Sequence, residues 1–160
     1  MASTLTVDEI VGRATAANIK IPGHVVQVVQ GTLGSAANTN SGSYTDTGLT
    51  ATITPISATS KILVITSASG AVQDNATSDE TANVNLVRGS TQISEFQTQI
   101  RTRGGSGGES APFFTGFSFL DSPSTTSATT YKTQMKVATA EVLYFNLSGT
   151  ATITLMEIAQ

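Results

Sequence analysis

At 160 residues, 39% of them hydrophobic, the chain is long enough to bury a core in one domain. Charged residues make up 12%, about half the share of an ordinary soluble domain, and the net charge is −3. Eight scattered Lys and Arg argue against a nucleic-acid footprint, and the lack of cysteine excludes disulfides and thiolate metal sites. No apolar run approaches the roughly 20 residues of a membrane helix. The opening Met1–Thr6 has neither a basic start nor an apolar block, so no signal peptide is expected.

Pro22–Gly23 divides the chain into an arm, residues 1–22, expected to attach to a neighbour or to exchange between subunits, and a β-sandwich body, residues 23–160. The arm is too small for a core of its own. Within it, Thr4–Ile10 alternates and Asn18–Ile21 is extended; Asp8, Glu9 and the alanines permit a helix over Val7–Ala17, which Gly12 and the threonines disfavour. In the body, the spacing predicts strands at His24–Gln30, Ser43–Gly48, Thr50–Ile56 and Lys61–Ser67. Ala82–Arg88 follows, then Gly89-Ser90 as a hairpin turn into Thr91–Phe96 or as far as Ile100. A glycine-rich loop, Arg101–Ser110, precedes Pro112–Leu120, Thr129–Val137, Val142–Leu147 and Ala151–Ile158. About eight body strands and no convincing helix read as an all-β, jelly-roll-like antiparallel sandwich.

Thr129–Val137 separates its faces cleanly: Tyr131, Thr133, Met135 and Val137 inward, Thr130, Lys132, Gln134 and Lys136 outward. Two other strands are apolar on both faces. Leu143, Phe145 and Leu147 oppose Val142 and Tyr144; Phe113, Phe117 and Phe119 oppose Phe114 and Leu120. A strand apolar on both sides must be covered on both. A second subunit is the natural cover, which makes Val142, Tyr144, Phe114 and Leu120 the expected contact residues; the arm folding back is the alternative.

Sites for chemistry are sparse. His24 has no nucleophile or carboxylate that the sequence assigns to it, so a locally hydrogen-bonded side chain at a strand start is the better reading. Asp74, Asp79 and Glu80 fit no defined calcium loop, and Gly104–Gly108 lacks the Lys-Ser/Thr of a phosphate loop. Asn75-Ala76-Thr77 and Asn146-Leu147-Ser148 match the glycosylation acceptor pattern without a secretory context. No catalytic residues, metal or cofactor are expected.

Two stretches carry a family resemblance. Ala2–Ile10 followed by Ala17–Pro22 resembles the N-terminal segment of small virion and tail-fibre-like proteins of tailed bacteriophages, those of marine and freshwater hosts above all. The order His24–Gln30, Ser43–Leu49, Thr52–Pro55, Ser60–Val64 and the ending Ala151–Ile158 are similar to the same group. The resemblance implies a trimeric jelly roll, similar in plan to tumour-necrosis-factor and C1q modules, carried on a virion and made in the host cytoplasm. It further implies a non-enzymatic role, as a capsid decoration (cement) protein bridging major capsid subunits or as a short tail or head fibre that binds a cell-surface glycan. Under the first, Leu5, Val7, Ile10, Ile19 and Ile21 are the capsid-attachment candidates; under the second, Tyr44, Phe113 and Phe114 are candidates to hold a sugar. The partners expected are two further copies of the chain and a major capsid or other virion protein, with neither nucleic acid nor membrane.

Overall fold

The computed structural model describes residues 21–73, 80–102, 110–137 and 142–160. Ten strands lie among them: β1 (Val25–Leu33), β2 (Ala37–Thr39), β3 (Thr45–Ile53), β4 (Lys61–Gln73), β5 (Glu80–Arg88), β6 (Thr91–Thr102), β7 (Ser110–Asp121), β8 (Thr129–Val137), β9 (Val142–Phe145) and β10 (Ala151–Ile158). One sheet runs β1–β10–β4–β9–β2, with β7 on the other edge of β4; the second runs β3–β8–β5–β6. Every pairing is antiparallel. The chain repeatedly leaves one sheet for the other, which makes the sandwich a jelly roll. No helix occurs among the described residues.

The backbone of the first sheet is β4. Of its thirteen residues, Ile62–Gln73 pair with β7. On its other edge β10 takes Lys61–Ser67 and β9 takes Gly70–Gln73. Between β9 and β10 the chain breaks at Asn146, which has a left-handed φ of 60°. The break is clasped to β4, since the Asn146 amide donates to the Ser69 carbonyl at 2.6 Å and Ser69 Oγ donates to the Ser148 carbonyl at 2.9 Å. Leu147 consequently leaves the strand and is exposed, where alternation had placed it beside Leu143 and Phe145. Asn146 itself is buried, and its Nδ2 donates to the Leu33 carbonyl at 2.7 Å. A glycosylation acceptor at this position is therefore walled in.

The predicted pair Ser43–Gly48 and Thr50–Ile56 is one strand, β3. Gly48, with φ at +90°, sits where the register against β8 shifts between Asp46 and Thr50, so the chain bulges without turning back. Strand β2, only three residues long, was not predicted, and β4 runs past the predicted Ser67 end through a Ser/Ala/Gly stretch. Arg101 and Thr102 belong to β6, not to the loop. Of the acidic trio read as a solvated turn, Glu80 opens β5, while residues 74 and 79 and the glycine run 104–108 lie outside the described residues.

Inward side chains of both sheets form one core, led by Leu49, Ile53, Ile62, Leu86, Tyr131, Met135, Leu143, Phe145, Ile153 and Leu155. The β6–β7 side of the sandwich is closed by aromatics: Phe96 stacks on Phe117 with centroids 4.4 Å apart, and Phe119 follows at 6.2 Å. On the opposite side β1 comes so near β3 that a Cβ at Gly31 would run into the Thr50 carbonyl oxygen.

Polar clasps fix the sandwich. At one, Asp121 of β7 accepts from β5 and β8 in the other sheet: Arg88 Nη1 lies 2.8 Å from each carboxylate oxygen and the Tyr131 hydroxyl donates to Oδ2 at 2.6 Å. Burial and the Asp121 carboxylate push the Tyr131 phenol well above its usual range. At the other, Glu157 of β10 is fully buried and points into the sandwich. It accepts from Gln27 Nε2 at 2.6 Å and from the Ile56 amide at 2.9 Å, tying the loop after β3 to β1 and β10. Burial opposes the charged form, but hydrogen bonds from Gln27, Ser60 and the Ile56 and Ser57 amides outweigh it and hold the carboxyl below its ordinary value of 4.5. A folded value below the unfolded one gives stability that is present above about pH 4.5 and is lost as pH falls through the folded value. Glu157→Gln is expected to cost about 2 kcal/mol at neutral pH, through loss of charge-assisted bonds, and to flatten the acid limb of a stability-against-pH curve. Urea melts from pH 7 to pH 3 measure both; an unchanged acid limb would contradict this role.

Candidate assembly face

The outward sides of the two sheets differ in chemistry. On the second sheet the outward side chains are polar and already bonded to each other. Lys132 Nζ donates to Asp46 Oδ2 at 2.8 Å and Gln134 Nε2 to Asp46 Oδ1 at 2.7 Å. The Tyr44 hydroxyl donates to Glu95 Oε2 at 2.8 Å and Asn83 Nδ2 to Oε1 at 2.6 Å, with Lys136 Nζ 4.6 Å from the centre of the Tyr44 ring. Donors from Lys132 and Gln134 hold Asp46 below the usual carboxylate range, and those from Tyr44 and Asn83 do the same for Glu95. This lattice satisfies itself and is suited to water.

The first sheet presents the opposite. Its register aligns a row across four strands: Val28 of β1 faces Met156 of β10, Met156 faces Leu63 of β4, and Leu63 faces Leu120 of β7. Cross-strand neighbours of this kind lie about 5 Å apart, so their side chains merge into one apolar band. Val28 is 56% exposed and Leu120 50%. Val25 and Ile158 extend the band at one end. Next along the strands come small or short polar side chains: Thr154 and Ser118 flanking Ile65, then Thr152, Ser67 and Gly116. Beyond this trough stands a second apolar group. Phe114, opposite Ser69, is 87% exposed. Pro112 and Tyr144 both pair with Ala71, and Val142 pairs with Gln73. The Tyr144 hydroxyl reaches back to Gln73 Oε1 at 3.2 Å. Lys61, at one end, is the charged side chain of this face among the described residues.

All four contact residues expected from the sequence thus share one sheet face, Val142, Tyr144 and Phe114 at one end and Leu120 at the other. The sequence reading did not reach Val28, Leu63, Met156 and Pro112, which complete the two groups. Of the attachment candidates, Leu5, Val7, Ile10 and Ile19 lie outside the described residues; Ile21 is 52% exposed. The sugar-holding candidates do not converge. Tyr44 lies in the polar lattice of the second sheet, Phe113 packs inward against Gly70, and Phe114 points out of the first sheet. His24 is exposed, and its backbone pairs with Ile21 and Ala159. Among the described residues no group of three or more His, Asp or Glu is placed to hold a metal, and no helix is long and apolar enough to cross a membrane.

Architecture and surface together define an all-β jelly-roll sandwich with one water-suited face and one unpaired apolar face. No family model and no curated protein matches the chain. Among the solved structures that the chain is similar to are chains of infectious bursal disease virus. A chain of the Gx strain structure is 8% identical, with a TM-score of 0.43, covering 100% of this chain and 43% of that one. A chain of the T13 particle is 10% identical, with a TM-score of 0.41, covering 83% and 35%. A Gt strain chain is 9% identical, with a TM-score of 0.40, covering 100% and 43%. The present chain spans less than half the length of each, and the likeness is too distant to carry a function across.

Proposed function

We propose that this chain is a non-enzymatic structural protein of a virion, acting as a homotrimer in a capsid decoration role. The observation that carries the reading is the contrast between the two faces. A monomer has no use for a largely apolar sheet face with exposed Phe114, Val28 and Leu120. That face measures roughly 43 by 19 Å from thirteen residues of β4 and four strand widths, or about 800 Å², the area each partner contributes to a standard stable interface. The resemblance of the arm and strand order to small phage virion proteins supplies the setting. The carboxylates of Asp46, Glu95, Asp121 and Glu157 are all engaged in structural bonds, in keeping with a mechanical role. Trimers bridging neighbouring capsid subunits would add contacts that exist only in the closed shell, and so would stabilise it by mass action.

Particles lacking the protein are expected to leak or burst under heat, chelation or osmotic shock while adsorbing to the host normally. Lost adsorption with shells of ordinary robustness would contradict decoration and support a fibre. One observation favours that second reading. An open hollow of about 280 Å³ is lined by Arg88, Gly89, Pro123, Thr125, Ala128, Thr129 and Thr130, a mixed polar and apolar setting of the kind a sugar ring can use.

A further inference from the structure

The apolar row Val28–Met156–Leu63–Leu120 has no cover among the described residues, and the chain's own arm matches it in position, length and chemistry. Residue 21 emerges beside the row: the Gly23 amide donates to the Ala159 carbonyl at 2.8 Å and the Ala159 amide to the His24 carbonyl at 2.9 Å. These bonds pin the arm's exit to the end of β10, next to the Val25–Ile158 pair that extends the row. Crossing the four strands takes only about 19 Å, or some six residues. The apolar pair Leu5 and Val7 stands fourteen or more residues before Ile21, long enough to pass the far edge of its own sheet. The row is open at both sides, since β1 and β7 are the sheet's edges, so a segment can enter over one strand and leave over the other. Neither side brings a charge conflict, because the row is neutral and Leu5, Thr6 and Val7 are uncharged.

We infer that the row is a docking track for the N-terminal arm of a neighbouring copy, with Leu5 and Val7 seated across Leu63 and Met156. The trimer would then be held twice: by the Phe114–Tyr144 group through direct sheet contact and by arm exchange along the row. This rests on the homotrimer reading above, and the test separates the two.

The chain has no native cysteine, so single cysteines report cleanly. Val7→Cys and Leu63→Cys proteins are unfolded together, refolded as a mixture and treated with a short bismaleimide; Ile65→Cys replaces Leu63→Cys if the latter folds poorly. In the mixture only a contact between chains can join an arm cysteine to a face cysteine. The expected result is a two-chain band on a denaturing gel, several-fold above that of either variant alone, in material that sediments as a trimer. A trimer without that band overturns arm exchange and leaves the trimer standing. A one-chain product confined to the Val7→Cys/Leu63→Cys double variant overturns it too, and shows the arm folded on its own sheet. A monomer in sedimentation removes both readings.

Discussion

Asp121→Ala is expected to lower stability by about 3 kcal/mol, the largest loss anticipated for one side chain here. The carboxylate is where the two sheets are tied by charge: Arg88 Nη1 and the Tyr131 hydroxyl both donate to it, and Tyr131 is fully buried. Removing the acceptor strands a buried phenol hydroxyl and leaves a guanidinium without its anion. Breaking a buried charged pair typically costs ~3–5 kcal/mol; Arg88 is 30% exposed, so water recovers part of that. The melting temperature should fall by about 10 °C in a chain of this size. Tyr131→Phe removes one partner and leaves the ion pair, so it should cost about 1–2 kcal/mol. If both variants melt together with the native protein, the clasp is ornamental and the sandwich is held by its core alone.

Periodicity located elements wherever one face met water. Strand β8 alternates Lys and Gln with Tyr and Met, and its ends were placed to the residue; the same holds for β10. It failed where backbone, not side chain, decides. Gly48 lets β3 bulge, which in sequence looks like a turn between two strands. Asn146 takes a left-handed φ that ends β9 before Leu147, although the alternation continues through it. Glu157 was invisible as a core group because a glutamate in a strand is expected to face solvent. Its burial depends on Gln27, Ile56 and Ser57, partners 100 or more residues away.

The exposed apolar face was half legible. Phe114, Leu120, Val142 and Tyr144 showed themselves because each sits in a strand that is apolar on both sides. The row through Val28, Met156 and Leu63 did not, since it exists only once four strands are in register. A bulge between Val25 and Gln27 also shifts the phase of β1, hiding which of its valines face outward.

Phe114→Asp should leave the fold intact and abolish assembly. In one copy the ring is 87% exposed, so the substitution removes almost no buried contact and adds a charge that water solvates freely. In an interface the same charge would be buried against Pro112 and Tyr144 of the apolar group with no cation at hand, and an unpaired buried charge costs several kcal/mol. Association should weaken by a hundredfold or more, while circular dichroism and the melting midpoint of the dissociated chain stay close to native. Tyr144→Asp should act in the same direction.

Sedimentation equilibrium of the native protein and of Phe114→Asp, at micromolar concentration, weighs this face directly. The native protein should run at three times the 16.4 kDa chain mass and the variant at one. A native protein that is a stable, well-folded monomer, or a variant that remains trimeric, would contradict the assignment of the first sheet's outer face to assembly.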